Sequence, residues 1–110
     1  MGFQTGAALL DAVVLAVVSR DDQGTYGYRI TQEVRGVLDI SESTLYPVLR
    51  RLLKDGCLDT YDREYCGRNR RYYRITGRGK EQLRTYIAEW KEYSGRISRI
   101  FTQREEDPDE

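Results

Sequence analysis

The sequence predicts a mainly α-helical fold carrying one small β-hairpin and ending in a long helix. Three observations carry that prediction. Apolar residues recur at helical spacing in three successive segments before Gly56. Two β-prone runs follow, CLDTYDR (57–63) and RRYYRIT (70–76). A last segment then places Leu83, Trp90 and Ile97 seven residues apart, and Tyr86, Tyr93 and Ile100 likewise.

The first element, AALLDAVVLAVV from Ala7 to Val18, is apolar nearly all round, so it needs cover on several sides. It is about a dozen residues long, against the ~20 that span a bilayer. With Asp11 inside it and no cleavage signal after it, it reads neither as a membrane span nor as a signal peptide. A cytoplasmic protein without a membrane partner is expected. Ser19–Gly24 is a turn by composition. Thr25 is placed to N-cap a second helix, YGYRITQEVRGVL, whose core face is Ile30, Val34, Val37 and Leu38, with Gly36 weakening its end.

Ser41 is a good N-cap for the third helix, and Glu42 suits that helix's positive end. Leu45, Val48, Leu49, Leu52 and Leu53 share one face of it. The other face carries Ser43, Tyr46, Pro47, Arg50 and Lys54. Pro47 lies beyond the first turn, where its missing N–H predicts a bend. Lys54-Asp55-Gly56 closes the helix with a cation and a glycine. The two strands are joined by EYCGRNR, expected to be a long, exposed, basic tip. Thr76 can cap the last helix, although Gly77 and Gly79 weaken its first turn. From residue 77 to 104 that helix runs about 42 Å at ~1.5 Å per residue, more than a three-helix core and a hairpin can cover. A second copy of the chain is the expected cover.

Formal net charge is zero over the 110 residues, but its distribution is uneven. Residues 41–80 hold ten basic side chains against five acidic ones, and the rest of the chain carries the opposite balance. Nucleic-acid binding responds to such a local patch rather than to the sum. Fifteen of the eighteen basic residues are arginine, suited to forked contacts with phosphate or guanine. The two cysteines, Cys57 and Cys66, are too few and too far apart for zinc, and there is no histidine. They read as a semi-buried thiol and an exposed loop thiol. No cofactor or metal site is expected.

Helix, helix, helix, hairpin, helix is the order of a winged helix-turn-helix with an appended dimerisation helix. The third helix of that architecture enters the major groove, and the hairpin wing reaches the backbone or the minor groove. The runs TYGY (25–28), STLYPVLRRL (43–52) with KDG (54–56), and RRYYRIT (70–76) are the most specific pieces of a wider resemblance. On them, residues 9 to about 93 resemble the PadR family of bacterial transcriptional regulators. The single short C-terminal helix is similar to the compact members of that family. Gly77 departs from the pattern, standing where a helix-friendly residue is usual. The expected organisation is a DNA-binding domain over 1–76, a dimerisation helix over 77–104 and an acidic, disordered tail over 105–110.

The candidate DNA-binding residues are Tyr28, Ser41, Ser43, Thr44, Tyr46, Pro47, Arg50, Lys54, Arg68, Arg70 and Arg71. No acid interrupts the stretch from Ser43 to Lys54, whereas an ordinary solvated face mixes signs. Capping alone accounts for Ser41 or Thr44, and core packing competes with phosphate contact at Tyr26. Arg74 can instead pair with Asp59 or Asp62 across the hairpin. The candidate dimer interface is Leu83, Tyr86, Ile87, Trp90, Tyr93, Ile97 and Ile100. Trp90 is either plain interface core or, with Tyr86, Tyr93 and Ile97, the lining of a cavity between subunits for a flat, apolar, aromatic effector. The resemblance implies the second, because family members respond to phenolic or drug-like compounds.

The reading is a homodimeric, DNA-binding transcriptional regulator, a repressor, that recognises a pseudo-palindromic operator with helix 41–55 and a basic wing. A winged-helix protein-interaction module without specific DNA binding is the alternative. An enzyme is not expected, since no histidine, paired nucleophile and base, metal cluster or phosphate-cradling glycine loop is present.

Overall fold

A computed structural model describes residues 6–106 of the chain. Its elements run α1 (Ala7–Ser19), β1 (Thr25–Tyr26), α2 (Gly27–Arg35), α3 (Glu42–Lys54), β2 (Leu58–Tyr65), β3 (Arg68–Ile75) and α4 (Gly77–Glu106). The fold is mainly helical with a small antiparallel sheet, the winged helix-turn-helix arrangement followed by a long C-terminal helix.

The nearly all-apolar α1 finds most of its cover within the chain. It packs against α2, α3, β3 and α4, and Val14, Leu15 and Val18 are sealed from solvent. Ile30, Thr31 and Val34 of α2 and Leu45, Leu49 and Leu52 of α3 close the core around it. Each such aliphatic side chain stabilises the fold by roughly 1.5–3 kcal/mol through burial. That apolar spacing fixes which face of α3 turns outward.

The second helix departs from expectation at both ends. Thr25 does not cap it; Thr25 and Tyr26 instead form a strand against Tyr73 and Tyr72 of β3, and Tyr26 stands at the N-cap without a side-chain cap bond. Helix α2 stops at Arg35, so Val37 lies outside it, 75% exposed and not in the core. Gly36 ends the helix rather than merely weakening it.

The hairpin is also tighter than the sequence implies. Strands β2 and β3 pair without interruption from Leu58↔Ile75 to Tyr65↔Arg68, leaving a two-residue turn, Cys66-Gly67, where a long tip was expected. Both turn residues have positive φ, 55° and 77°, the conformation that matches strand twist in a two-residue hairpin. With β1 the sheet has three strands, in the order β1-β3-β2.

Helix α3 runs unbroken through Pro47, with Ser41 Oγ accepting the Thr44 N–H at 3.3 Å as its N-cap. Thr76 caps α4, its hydroxyl accepting the Gly79 N–H at 3.0 Å. Gly79 is required there: a Cβ would collide with the Cys57 carbonyl and the Ile75 side chain. Helix α4 continues through residues 105 and 106, which were expected in the tail; 107–110 lie outside the described residues.

Candidate nucleic-acid interface

The outward face of α3 presents Ser43, Thr44, Tyr46, Pro47, Arg50 and Lys54 to solvent, as its spacing requires. At its start the three hydroxyls are linked, Ser41 Oγ lying 2.9 Å from Ser43 Oγ and 3.0 Å from Thr44 Oγ1. Ser41 therefore works as a cap within this cluster. Arg50 and Lys54 form no ion pair among the described residues, in contrast to their neighbour Arg51 on the same helix.

Tyr28 and Tyr46 meet the wing across a cleft of about 260 Å³ lined by Tyr26, Gly27, Tyr28, Tyr46, Arg70, Arg71 and Tyr73. The N-terminus of α2 opens into it, with no side chain capping its amides. Tyr28 is 56% exposed, so its hydroxyl is available to a partner in the cleft. Four of the candidate DNA-binding residues from three separate elements thus converge on one concave surface.

The three wing arginines do not form a single patch. Strand alternation puts Arg68 and Arg70 on the outer face and Arg71 on the face that adjoins the helices. Arg70 is half-buried, its guanidinium 4.8 Å from the centre of the Tyr26 ring and 5.7 Å from that of Tyr65. Tyr26 is accordingly a packing residue, and its ring supports an arginine. Arg74 pairs with Asp59 at 3.2 Å, one of the two partners anticipated for it.

A group that the periodicity did not single out ties α3 to α4. Asp11, buried in α1, receives a hydrogen-bonded ion pair from Arg51 Nη2 of α3, and the Tyr86 hydroxyl of α4 donates to its second oxygen at 3.2 Å. Burial first, and then the Asp11 charge and hydrogen bond, push the Tyr86 hydroxyl pKa up to about 12. The one signal in the sequence was an acid inside an otherwise apolar helix. Cys57 is buried in the core and its thiol is raised by desolvation, with Arg78 opposing; Cys66 is exposed in the turn.

Of the candidate interface residues on α4, Leu83 and Tyr86 pack against the chain's own core. Ile87, Trp90 and Ile100 are exposed, and Tyr93 and Ile97 are half-covered, with the Trp90 and Tyr93 rings 6.2 Å apart. Phe101, 63% exposed and two heptads on from Ile87, extends this apolar face and was not singled out from the sequence.

Residues 14–85 match the model of the transcriptional regulator PadR-like family. The chain belongs to that family. A PadR-like chain of this kind is a transcriptional regulator and not an enzyme. It is 38% identical to an uncharacterised protein of Lysinibacillus sphaericus over 88 residues, 76% of this chain and 79% of that protein. It is similar to a Streptococcus mutans protein of known crystal structure, with a TM-score of 0.83 and 39% identity over 93% of this chain and 94% of that one. A PadR-like transcriptional regulator from Bacillus cereus superposes with a TM-score of 0.79 at 26% identity, covering 89% of this chain and 96% of its own. PadR-like regulators act on DNA, and among the described residues no helix is long and apolar enough to cross a membrane.

Proposed function

We propose that the chain is a homodimeric, cytoplasmic repressor that reads a pseudo-palindromic operator with α3 and the wing. The observation that carries this reading is the convergence of Tyr28 of TYGY, Tyr46 on the acid-free face of α3, and Arg70 and Arg71 of the wing on one cleft. Arg50 reads a base edge in the major groove, and Ser43, Thr44, Tyr46 and Lys54 position the helix. Tyr28, Arg71 and the uncapped amides of α2 take phosphates, because a helix N-terminus favours anions. Residues 77–104 serve as the dimerisation helix. The exposed apolar face of Ile87, Trp90, Ile100 and Phe101 supports a second copy as its cover. Two heads held that way reach half-sites about one turn, ~34 Å, apart.

A flat aromatic effector packs between subunits against Trp90 and Tyr93, and Tyr86 meets it only by its ring while its hydroxyl stays with Asp11. Selection of bound fragments from random duplex DNA tests the whole reading. It should return two inverted half-sites, and Arg50→Ala should cost roughly 1–3 kcal/mol and relax preference at one position in each. Recovery of no enriched sequence would sink the operator assignment.

A further inference from the structure

The outer face of the wing carries a side-chain cluster of which only Tyr26 and Arg70 reach the cleft beside α3. Pairing register sets Asp59 opposite Arg74, Tyr61 opposite Tyr72, Arg63 opposite Arg70, and Tyr65 opposite Arg68, all on one face. Tyr26 joins them from β1, directly beside Tyr72. The rings form a continuous platform: Tyr61 stacks on Tyr72 at 5.5 Å, Tyr72 meets Tyr26 at 5.7 Å, and Tyr26 meets Tyr65 at 5.9 Å. Over it lie guanidinium groups, Arg74 on Tyr61 at 5.0 Å, Arg63 on Tyr72 at 5.3 Å and Arg70 on Tyr26 at 4.8 Å.

Charge separates these arginines. Arg74 is neutralised by Asp59, whereas no carboxylate among the described residues lies within ion-pair distance of Arg63 or Arg70. The adjacent acids, Asp62 and Glu64, point to the opposite face of β2 by alternation. Two like charges directly across a strand pair destabilise it. In addition, Arg70 Nε is buried without a hydrogen-bond acceptor. Cation–π contact with the tyrosine rings offsets part of that cost, but it gives the guanidinium N–H groups no acceptor.

We propose that Arg63 and Arg70, set side by side by the rings of Tyr26, Tyr65 and Tyr72, form a two-guanidinium seat for a DNA phosphodiester on the outer face of the wing. The site adds Arg63 to the DNA-contacting residues and makes Tyr65 a positioning residue that acts through Arg70. A phosphate bridging the two offsets their repulsion and accepts from their terminal N–H groups. The proposal rests on the reading of this chain as a DNA-binding protein.

Fluorescence anisotropy with a labelled 30-base-pair random-sequence duplex, across a series of salt concentrations, tests it. Each phosphate neutralised contributes about 0.9 to the salt slope. Arg63→Ala should therefore lower the slope by roughly one, whereas Arg74→Ala, on the same face but paired with Asp59, should leave it unchanged. Tyr65→Leu should weaken binding roughly two- to fivefold by releasing Arg70, and Tyr65→Phe, which keeps the ring, should bind as wild type. Tyr65 is 46% exposed, so Tyr65→Leu and Tyr65→Phe should melt close to wild type. An unaltered slope in Arg63→Ala, with Arg71→Ala still weakened, overturns the seat and leaves DNA binding standing. Absence of duplex binding by the wild-type chain removes both.

Discussion

Replacing Arg51 by methionine should destabilise the protein far more than a half-exposed surface arginine ordinarily does. Asp11 is 7% exposed, and its carboxylate has two partners, Arg51 from α3 and the Tyr86 hydroxyl from α4. Methionine keeps most of the aliphatic stem but removes the cation, leaving a buried carboxylate held by one neutral hydroxyl. Breaking a fully buried pair costs about 3–5 kcal/mol. Because the Arg51 side chain is 41% exposed, water recovers part of that, and about 2–3 kcal/mol remains. For a chain of this length 1 kcal/mol corresponds to about 4 °C, so the melting temperature should fall by about 8–12 °C. Thermal unfolding followed by circular dichroism at pH 7 and fixed protomer concentration gives the number, since an assembling protein melts in a concentration-dependent way. The double variant Asp11→Leu/Arg51→Met removes both charges and should recover most of the loss, giving a large coupling term in the mutant cycle. A fall below about 2 °C, or strictly additive single and double variants, would refute the argument that this pair ties α1 to α3.

Further outcomes follow from the same geometry. The Tyr86 pKa is raised on folding, so its contribution is complete below pH 10 and lost as pH climbs toward about 12; wild type should lose stability over that window relative to Tyr86→Phe in denaturant titrations. Gly79→Ala should be severely destabilising, because its methyl meets the Cys57 carbonyl, whereas Gly77→Ala, in open space at the helix start, should gain roughly 0.4–1 kcal/mol; melting curves of the two separate packing from propensity. Trp90→Glu should shift the chain toward monomer in sedimentation and weaken duplex binding, while circular dichroism remains helical.

Much of the fold was legible in the sequence because apolar periodicity reports burial directly. The positions Leu45, Val48, Leu49 and Leu52 oriented α3 correctly, and Thr76 and Ser41 cap as their types require. The misreadings have local physical causes. Thr25 has the side chain of a cap but the extended backbone of a strand, and only the distant partner Tyr73 decides between them. The Cys66-Gly67 turn was hidden because a two-residue hairpin is usually announced by Asn-Gly or Asp-Gly. The candidate surface was legible on α3, where one face is simply what the core leaves over. On the wing it was not, because assigning Arg68, Arg70 and Arg71 to faces requires the register, and the register was set by a turn that the sequence concealed.

The two-residue strand β1 has a consequence for how such a protein could change its target. By joining the segment ahead of α2 to β3, it fastens the wing to the helical body at a second point besides its covalent attachment. The wing cannot be re-aimed by altering its own root without disturbing the entry to α2. On the DNA-binding reading proposed above, adaptation to a new DNA sequence is thereby channelled into substitutions at outward positions such as Ser43, Arg50 and Arg68, while the frame beneath stays intact. Retargeting then becomes a matter of exchanging side chains on a fixed chassis, a route open to single mutations that leave folding untouched.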